Sequence, residues 1–286
     1  MVLDIDGHHA FIATSETPVN DHLQRLVFVH GAQNDHRVWE AQRQWFSQRG
    51  YMTFAPDLPG HGTSAGAPLT SIELMGQWLG KLLAAISPVG ADEIASFVLI
   101  GHSMGSLAAL ECAAGAQANI AALILVGTAF PMRVSPALLE QTRTDEAAAI
   151  AQIVQWSHAP DLPDASSDDI RATSERLGAT HALMSAQAVG LLHNDLNACN
   201  SYTDGLEAAS KITCPSLVVY GSKDQMTAPK YALKLQAALG AENATIENAG
   251  HAMMSDKSDA LCSVIHDFLS VHFDATKKRQ AGEPSV

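Results

Sequence analysis

Four short runs, Leu26-Val27-Phe28-Val29, Met52-Thr53-Phe54-Ala55, Phe97-Val98-Leu99-Ile100 and Leu123-Ile124-Leu125-Val126, show no regular alternation of apolar and polar positions. A strand with one face in water alternates. A strand covered on both faces, as in a parallel sheet packed between helices, does not. Segments with helical spacing separate these runs, at residues 38–49, 71–86 and 107–116. Strand and helix in alternation predict an α/β sheet with right-handed crossovers. At the N-terminus, Val2-Leu3-Asp4-Ile5 and Ala10-Phe11-Ile12-Ala13 flank Asp6-Gly7, which predicts an antiparallel hairpin at the sheet's edge.

The alternation stops between about residues 130 and 210, where Ala, Leu, Ser, Asp and Gln fall in helical patterns without a clear strand. Strand pattern returns at Ser216-Leu217-Val218-Val219-Tyr220, followed by a helix over 229–239, a strand over 244–247 and a last helix over 259–268. A helical block set into such an alternation is expected to cap one end of the sheet. The predicted organisation is a core in two parts, residues 1–129 and 211–274, with a helical cap or lid over residues 130–210. Residues 275–286 are polar and patternless and are expected to fray. No internal repeat is visible.

A chain of 286 residues with 47 % hydrophobic content buries a sizeable core and belongs among folded globular proteins. Its 17 Lys and Arg against 30 Asp and Glu give a net charge of −13. Nucleic acids and anionic membrane surfaces demand basic patches, so neither is an expected partner. The N-terminal stretch lacks the basic and apolar regions of a signal peptide, and no apolar run approaches the ~20 residues of a membrane span. A cytoplasmic location is therefore expected. Cys112, Cys199, Cys214 and Cys262 lie far apart with no CxxC pair, so reduced thiols are expected rather than disulfides or a zinc site.

The candidate chemistry starts at Gly101-His102-Ser103-Met104-Gly105, a G-x-S-x-G sequence between a strand run and a helical run. A turn that sharp has no room for side chains two residues to either side of the serine, which explains the glycines. It would set the Ser103 hydroxyl at the carboxyl end of a central strand, where open α/β sheets bind ligands. The competing reading is a tight turn built from small residues. A serine hydroxyl is a weak nucleophile without a base. Among thirteen histidines, His251 follows the last predicted strand at Asn248-Ala249-Gly250-His251, and so reaches the same end of the sheet. His30, His61 and His102 lie in glycine-flanked turns and are explained by ties to the backbone; His158, His181 and His193 fall in the cap. Asp224, in Gly221-Ser222-Lys223-Asp224, begins a strand-end loop and can orient the imidazole or simply make an Asx turn. The chain order Ser103, Asp224, His251 is that of nucleophile-elbow hydrolases. Two backbone N–H groups are needed for an oxyanion, and the expected donors are Met104 and Ala32, the latter in His30-Gly31-Ala32-Gln33-Asn34. The side chains of Gln33 and Asn34 either add donors or are solvated.

Together these residues resemble the α/β-hydrolase superfamily in its capped branch. The resemblance spans the opening hairpin, His30-Gly31, Asp57-Leu58-Pro59-Gly60-His61-Gly62-Thr63-Ser64, Gly101–Gly105, Gly221–Asp224 and Gly250-His251. It implies a mostly parallel central sheet with flanking helices, a triad of Ser103, Asp224 and His251, and an oxyanion hole from Ala32 and Met104. It implies no metal and no organic cofactor, and a structural role for residues 57–64. Serine at 103 sets aside the dehalogenase and epoxide-hydrolase reactions, whose relatives carry aspartate there. Ser106 stands where many relatives have a second glycine, a change expected to tune only helix packing. The implied reaction is two-step ester hydrolysis through an acyl-enzyme. Alternatives on the same triad are carbon–carbon bond, thioester or amide hydrolysis, or perhydrolysis; a further one is a ligand-binding protein with little turnover.

Charge bears on the substrate. Residues 130–210 hold four basic and eleven acidic residues, a net −7, which favours neutral over anionic substrates. Trp156 and Met184, with Leu138, Leu183, Leu191 and Leu192, either line a pocket for an acyl or alkyl group or pack the cap onto the core. Arg133, at the cap's entrance, is the residue that would bind a carboxylate against this field. A small, neutral carboxylic ester is the expected substrate.

Overall fold

A computed structural model describes residues 1–15, 25–87, 96–115 and 119–273. Its strands are β1 (Val2–Ile5), β2 (His8–Thr14), β3 (Arg25–Val29), β4 (Met52–Pro56), β5 (Ser96–His102), β6 (Asn119–Val126), β7 (Ser216–Gly221) and β8 (Glu242–Ile246). They form one sheet in the order β1-β2-β4-β3-β5-β6-β7-β8. The predicted hairpin β1–β2 is antiparallel and joins β4 antiparallel, and all remaining pairs are parallel. The helices are α1 (Glu40–Ser47), α2 (Ile72–Ile86), α3 (Met104–Ala114), α4 (Pro136–Thr144), α5 (Glu146–Ser157), α6 (Ser167–Ser185), α7 (Leu191–Ser201), α8 (Gly205–Ser210), α9 (Leu233–Leu239), α10 (Met253–Asp256) and α11 (Ser258–Phe273). The helix predicted over 229–239 divides into a 3-10 turn, Pro229–Tyr231, and α9. The one predicted from residue 107 starts three residues earlier, directly after Ser103. The tail at 275–286 lies outside the described residues.

Successive residues of a strand face opposite sides, and both sides here are covered. Val27, Val29, Leu99, Leu123, Leu125 and Val218 pack with Leu79, Leu82, Leu107 and Leu110 of α2 and α3. Their neighbours Leu26, Phe28, Val98, Ile100, Ile124 and Val219 pack on the other face with Phe46, Leu261, Ile265 and Phe268 of α1 and α11. This double burial is why the strand runs do not alternate. Between β6 and β7, helices α4 to α7 build a cluster of their own around Leu138, Ile150, Ile153, Val154, Met184, Leu192 and Leu196. The end of the insertion is different: Ala198, Cys199, Tyr202, Ala208 and Ala209 join the main core, and Tyr202 Oη donates to Glu111 on α3.

Two buried carboxylates fix the loops that follow β3 and β4. Asp57 accepts from His36 N and Nδ1 (2.8 and 2.7 Å) and from Thr63 N (2.9 Å). Asp35 accepts from Arg37 Nη2 at 2.6 Å and from Gln187 Nε2 at 2.7 Å. Burial opposes both charges, but these donors outweigh it, holding Asp57 below the ordinary carboxylate range and Asp35 at about 2. The Asp57–Ser64 stretch is thus a hydrogen-bonded lock.

Leu99→Ala should cost about 2–5 kcal/mol in chemical denaturation, whereas Val189→Ala, at a position 93 % exposed, should change stability by less than ~0.5 kcal/mol. The depressed carboxylates set the acid limit. Their contribution is complete above the unfolded value of 3.8 and is lost as pH falls toward the folded values. The denaturation midpoint should therefore drop as pH falls below about 4, and Asp57→Asn should flatten that drop.

Candidate active site

Four of the predicted residues emerge at the carboxyl ends of strands: Ala32 after β3, Ser103 after β5, Asp224 after β7 and His251 after β8, whereas Trp156 lies on α5 and Met184 on α6. Ser103 sits at φ 52, ψ −121, a conformation that costs a non-glycine residue on the order of 1–3 kcal/mol. The surroundings hold it there. Ser103 N donates to Val126 O on β6 (3.0 Å), and Ser106 Oγ donates to Ser103 O (2.5 Å) while lying 2.8 Å from Thr128 Oγ1. Ser106 therefore braces the turn by hydrogen bonding, a role beyond the helix packing expected of it. A Cβ on Gly101 would collide with the Gly105 carbonyl, and one on Gly105 with the carbonyls of Val29 and His30.

His251 Nδ1 lies 2.9 Å from Asp224 Oδ2 and 3.0 Å from Thr227 Oγ1, both buried. The carboxylate accepts, so the ring proton sits on Nδ1 and Nε2 carries the free lone pair. Asp224 also accepts from Met226 N and Thr227 N, each at 2.8 Å. Burial opposes its ionisation, but His251 and the Thr227 donors prevail and keep the carboxyl far below the ordinary carboxylate range. His102 donates from Nε2 to His251 O (3.0 Å); burial, with His251 beside it, pushes its pKa down to about 3, so it stays neutral. Such an arrangement can accept a proton at His251 Nε2 and stabilise the resulting imidazolium.

Met104 opens α3, where its N–H has no intrahelical acceptor and the helix dipole favours negative charge. The Ala32 N–H meets no acceptor among the described residues. Ala32, Ser103 and His251 line one cavity of about 680 Å³ beneath the inserted helices. Asn34, Arg133, Trp156 and Met184 line it too, as do Met132, Val134, Leu138, Ile153, Leu183, Leu192 and Leu196, so its wall is largely apolar. Asn34 turns its amide back onto Ala32 O (2.8 Å), and Arg133 Nη1 donates to Asn200 O (3.1 Å).

Gln33 is a correction: it is not a wall residue of this cavity. Its backbone is left-handed at φ 55, which turns the side chain away to donate to Met184 O at 3.1 Å. Sequence reasoning also missed three features. Thr227 supports both Asp224 and His251, and the spacing Asp-x-x-Thr was its available signal. His61 reaches Asp195 on α7 (2.9 Å), and His158 reaches Asp256 on α10 (2.6 Å); these partners are too distant in sequence to leave a local pattern. Asp35, His36 and Asp57 bring potential ligand atoms within 4.8 Å of one another, but these are the atoms that form the loop lock. Among the described residues no helix is long and apolar enough to cross a membrane, and all four cysteines are unpaired.

Solved structures with the same architecture include the enol-lactonase from Burkholderia xenovorans (TM-score 0.78, 21 % identity, 94 % of this chain and 100 % of that one). Another is an esterase from Exiguobacterium antarcticum (TM-score 0.77, 19 % identity, 94 % and 98 % covered). At such identities they establish the α/β-hydrolase fold alone. A pimeloyl-(acyl-carrier protein) methyl ester esterase of Neisseria meningitidis is 28 % identical over 286 aligned positions, 92 % of this chain and 83 % of the relative. Residues 26–264 match the profile of the Alpha/beta hydrolase family. With that match spanning most of the chain, and with a relative named as an esterase, the chain belongs to the alpha/beta hydrolase family of enzymes.

Proposed function

We propose that the protein is a serine hydrolase cleaving a small, neutral carboxylic ester through an acyl-enzyme on Ser103. The observation that carries this is the 2.9 Å contact between His251 Nδ1 and Asp224, made by an imidazole that lines the same cavity as a serine held at positive φ. His251 Nε2 takes the Ser103 proton as Oγ attacks the ester carbonyl. The N–H groups of Ala32 and Met104 receive the developing oxyanion. Asp224 stabilises the imidazolium without taking its proton. The alcohol leaves with the proton from His251, and water activated by the same nitrogen releases the acid. Residues 130–210 act as the cap, and the apolar wall receives the acyl or alkyl group. The methyl ester named for the Neisseria relative supports an ester over a carbon–carbon bond.

Ser103→Ala should abolish ester turnover, by on the order of 10³-fold or more in kcat, without unfolding the protein. His251→Ala should match it, and Asp224→Asn should cost less. Labelling by a fluorophosphonate at Ser103, followed by turnover of activated esters, separates an enzyme from a ligand-binding protein. Near-normal kcat in Ser103→Ala would overturn the reading, and so would loss in His181→Ala or His193→Ala with His251→Ala spared.

Two guanidinium groups stand in the cavity wall. Arg37 is held on Asp35, whereas Arg133 has no carboxylate partner among the described residues. The apolar wall and the −7 of the insertion favour neutral esters, so kcat/KM for a neutral ester should exceed that for its ω-carboxylate analogue. A wild-type preference for the anion that vanishes in Arg133→Ala would instead promote carbon–carbon hydrolysis of an acid.

A further inference from the structure

The turn that carries Ala32 is held from the inserted helices. Gln33 N donates to Asp195 Oδ2 of α7 at 2.9 Å, and Asn34 Nδ2 donates to Ala32 O at 2.8 Å. Both polar groups of the Ala32–Gln33 peptide are thus occupied, its N–H by Asp195 and its C=O by Asn34. Gln33 adds a bond from its side chain to Met184 O, at the end of α6. The turn needs such support, because Gln33 sits at φ 55, where a side chain is unfavourable. Holding this peptide anchors the C-terminal side of Ala32 and restricts the backbone that carries the Ala32 N–H.

Asp195 is itself pinned. It is fully buried and accepts from His61 Nε2 at 2.9 Å, while His61 Nδ1 faces Pro59 O at 3.1 Å. A neutral imidazole has one N–H and satisfies one of these acceptors; an imidazolium satisfies both. Burial opposes a charge on His61, but Asp195 outweighs it and raises the imidazole's pKa above its ordinary value. Asn194 Nδ2 lies 3.3 Å from the other carboxylate oxygen. A buried ion pair contributes little net stability against a well-packed apolar replacement, so its main contribution here is geometric.

We infer that Asp195 is a positioning residue for the oxyanion hole: by accepting the Gln33 N–H it holds in place the turn on which Ala32 lines the cavity, and His61 keeps it there. The insertion thereby completes the hole that it covers. This rests on the assignment of Ala32 as an oxyanion donor under the proposed function.

The test compares Asp195→Ala and Asp195→Asn in the full chain, with folding checked by denaturation. Loss of an oxyanion donor costs on the order of 10²–10³-fold, and misdirection of one donor should cost kcat about 10–100-fold. KM for a simple ester should stay within about threefold. Affinity for a trifluoromethyl ketone, which binds as a hemiketal oxyanion, should fall by the same factor as kcat. Asp195→Asn retains an oxygen acceptor and should lose less. A role confined to anchoring the cap predicts the opposite split, a raised KM with unchanged kcat, and that result would overturn the inference. So would wild-type kcat in Asp195→Ala. If Asp195→Ala does not fold, Asp195→Asn decides: a joint fall in kcat and ketone affinity sustains the inference, and wild-type values in both overturn it. Ser103→Ala keeps the two claims apart. Activity in that variant removes the proposed function, whereas an inactive Ser103→Ala beside a wild-type Asp195→Ala removes this inference alone.

Discussion

The placement of Ser103 beside the Ala32 turn depends on one close approach, in which the first turn of α3 lies against the backbone at the end of β3 with no side chain between them. Gly105 meets the carbonyls of Val29 and His30 directly, and Gly31 lies so near His102 and Ser103 that an added Cβ would stand 3.1–3.2 Å from their side chains. This packing is available because β3 and β5 are sheet neighbours, paired from Arg25 with Phe97 to Val29 with Gly101. It brings the Ala32 loop beside Ser103, where the chain turns with a positive φ. The strain of that turn is offset by the bonds to Val126 O and from Ser106 Oγ, so a stable sheet sustains an unfavourable residue conformation.

The insertion is joined to the core by two buried imidazole–carboxylate pairs, one on each flank of the cavity. His61 and Asp195 stand beside the Ala32 turn. His158 and Asp256 stand beside the His251 loop, where Asp256 also accepts from Gly250 N at 2.8 Å and from Ala159 N at 2.9 Å. A Cβ on Gly250 would strike the backbone of residues 157–159, so the insertion lies against the residue that precedes His251. Both loops that supply site residues after β3 and β8 are thus fitted to the helices above them. Movement of the insertion would disturb the chemistry as well as the entrance.

Legibility in the sequence followed the range of the interaction. The strands were readable because double burial leaves a local signature in each run, and the elbow because two backbones in contact demand glycine at 101 and 105. Asp224 and His251 were readable through position, since each follows a strand whose end faces the cavity. Gln33 was not, because a single left-handed φ reverses the direction of a side chain without altering composition or period. Nor were the partners of His61 and His158, 134 and 98 residues away, since no pattern within a window of sequence registers them. The sequence explains His61 by a backbone tie and places His158 in the cap; for His61 that accounts for Nδ1 and omits Nε2.

The same distinction decides how the charge of the insertion acts. Its net −7 is carried mostly by exposed acids, none of which lines the cavity. Asp195 is matched by His61, while Asp168 lies 3.0 Å from Arg171 and Glu207 2.9 Å from Lys211 on exposed helix faces. Exposed charges are screened within roughly 8 Å at physiological salt, so these acids act chiefly on encounter and only weakly on a bound substrate. The lining itself offers apolar side chains, Arg37 matched by Asp35, Glu40 matched by Arg43, and Arg133 bonded to a neutral carbonyl. Net charge therefore governs the salt dependence of approach, and the lining governs the affinity that remains at high salt. Selection against anions by charge alone would fade as salt is added, whereas selection by an apolar wall would persist.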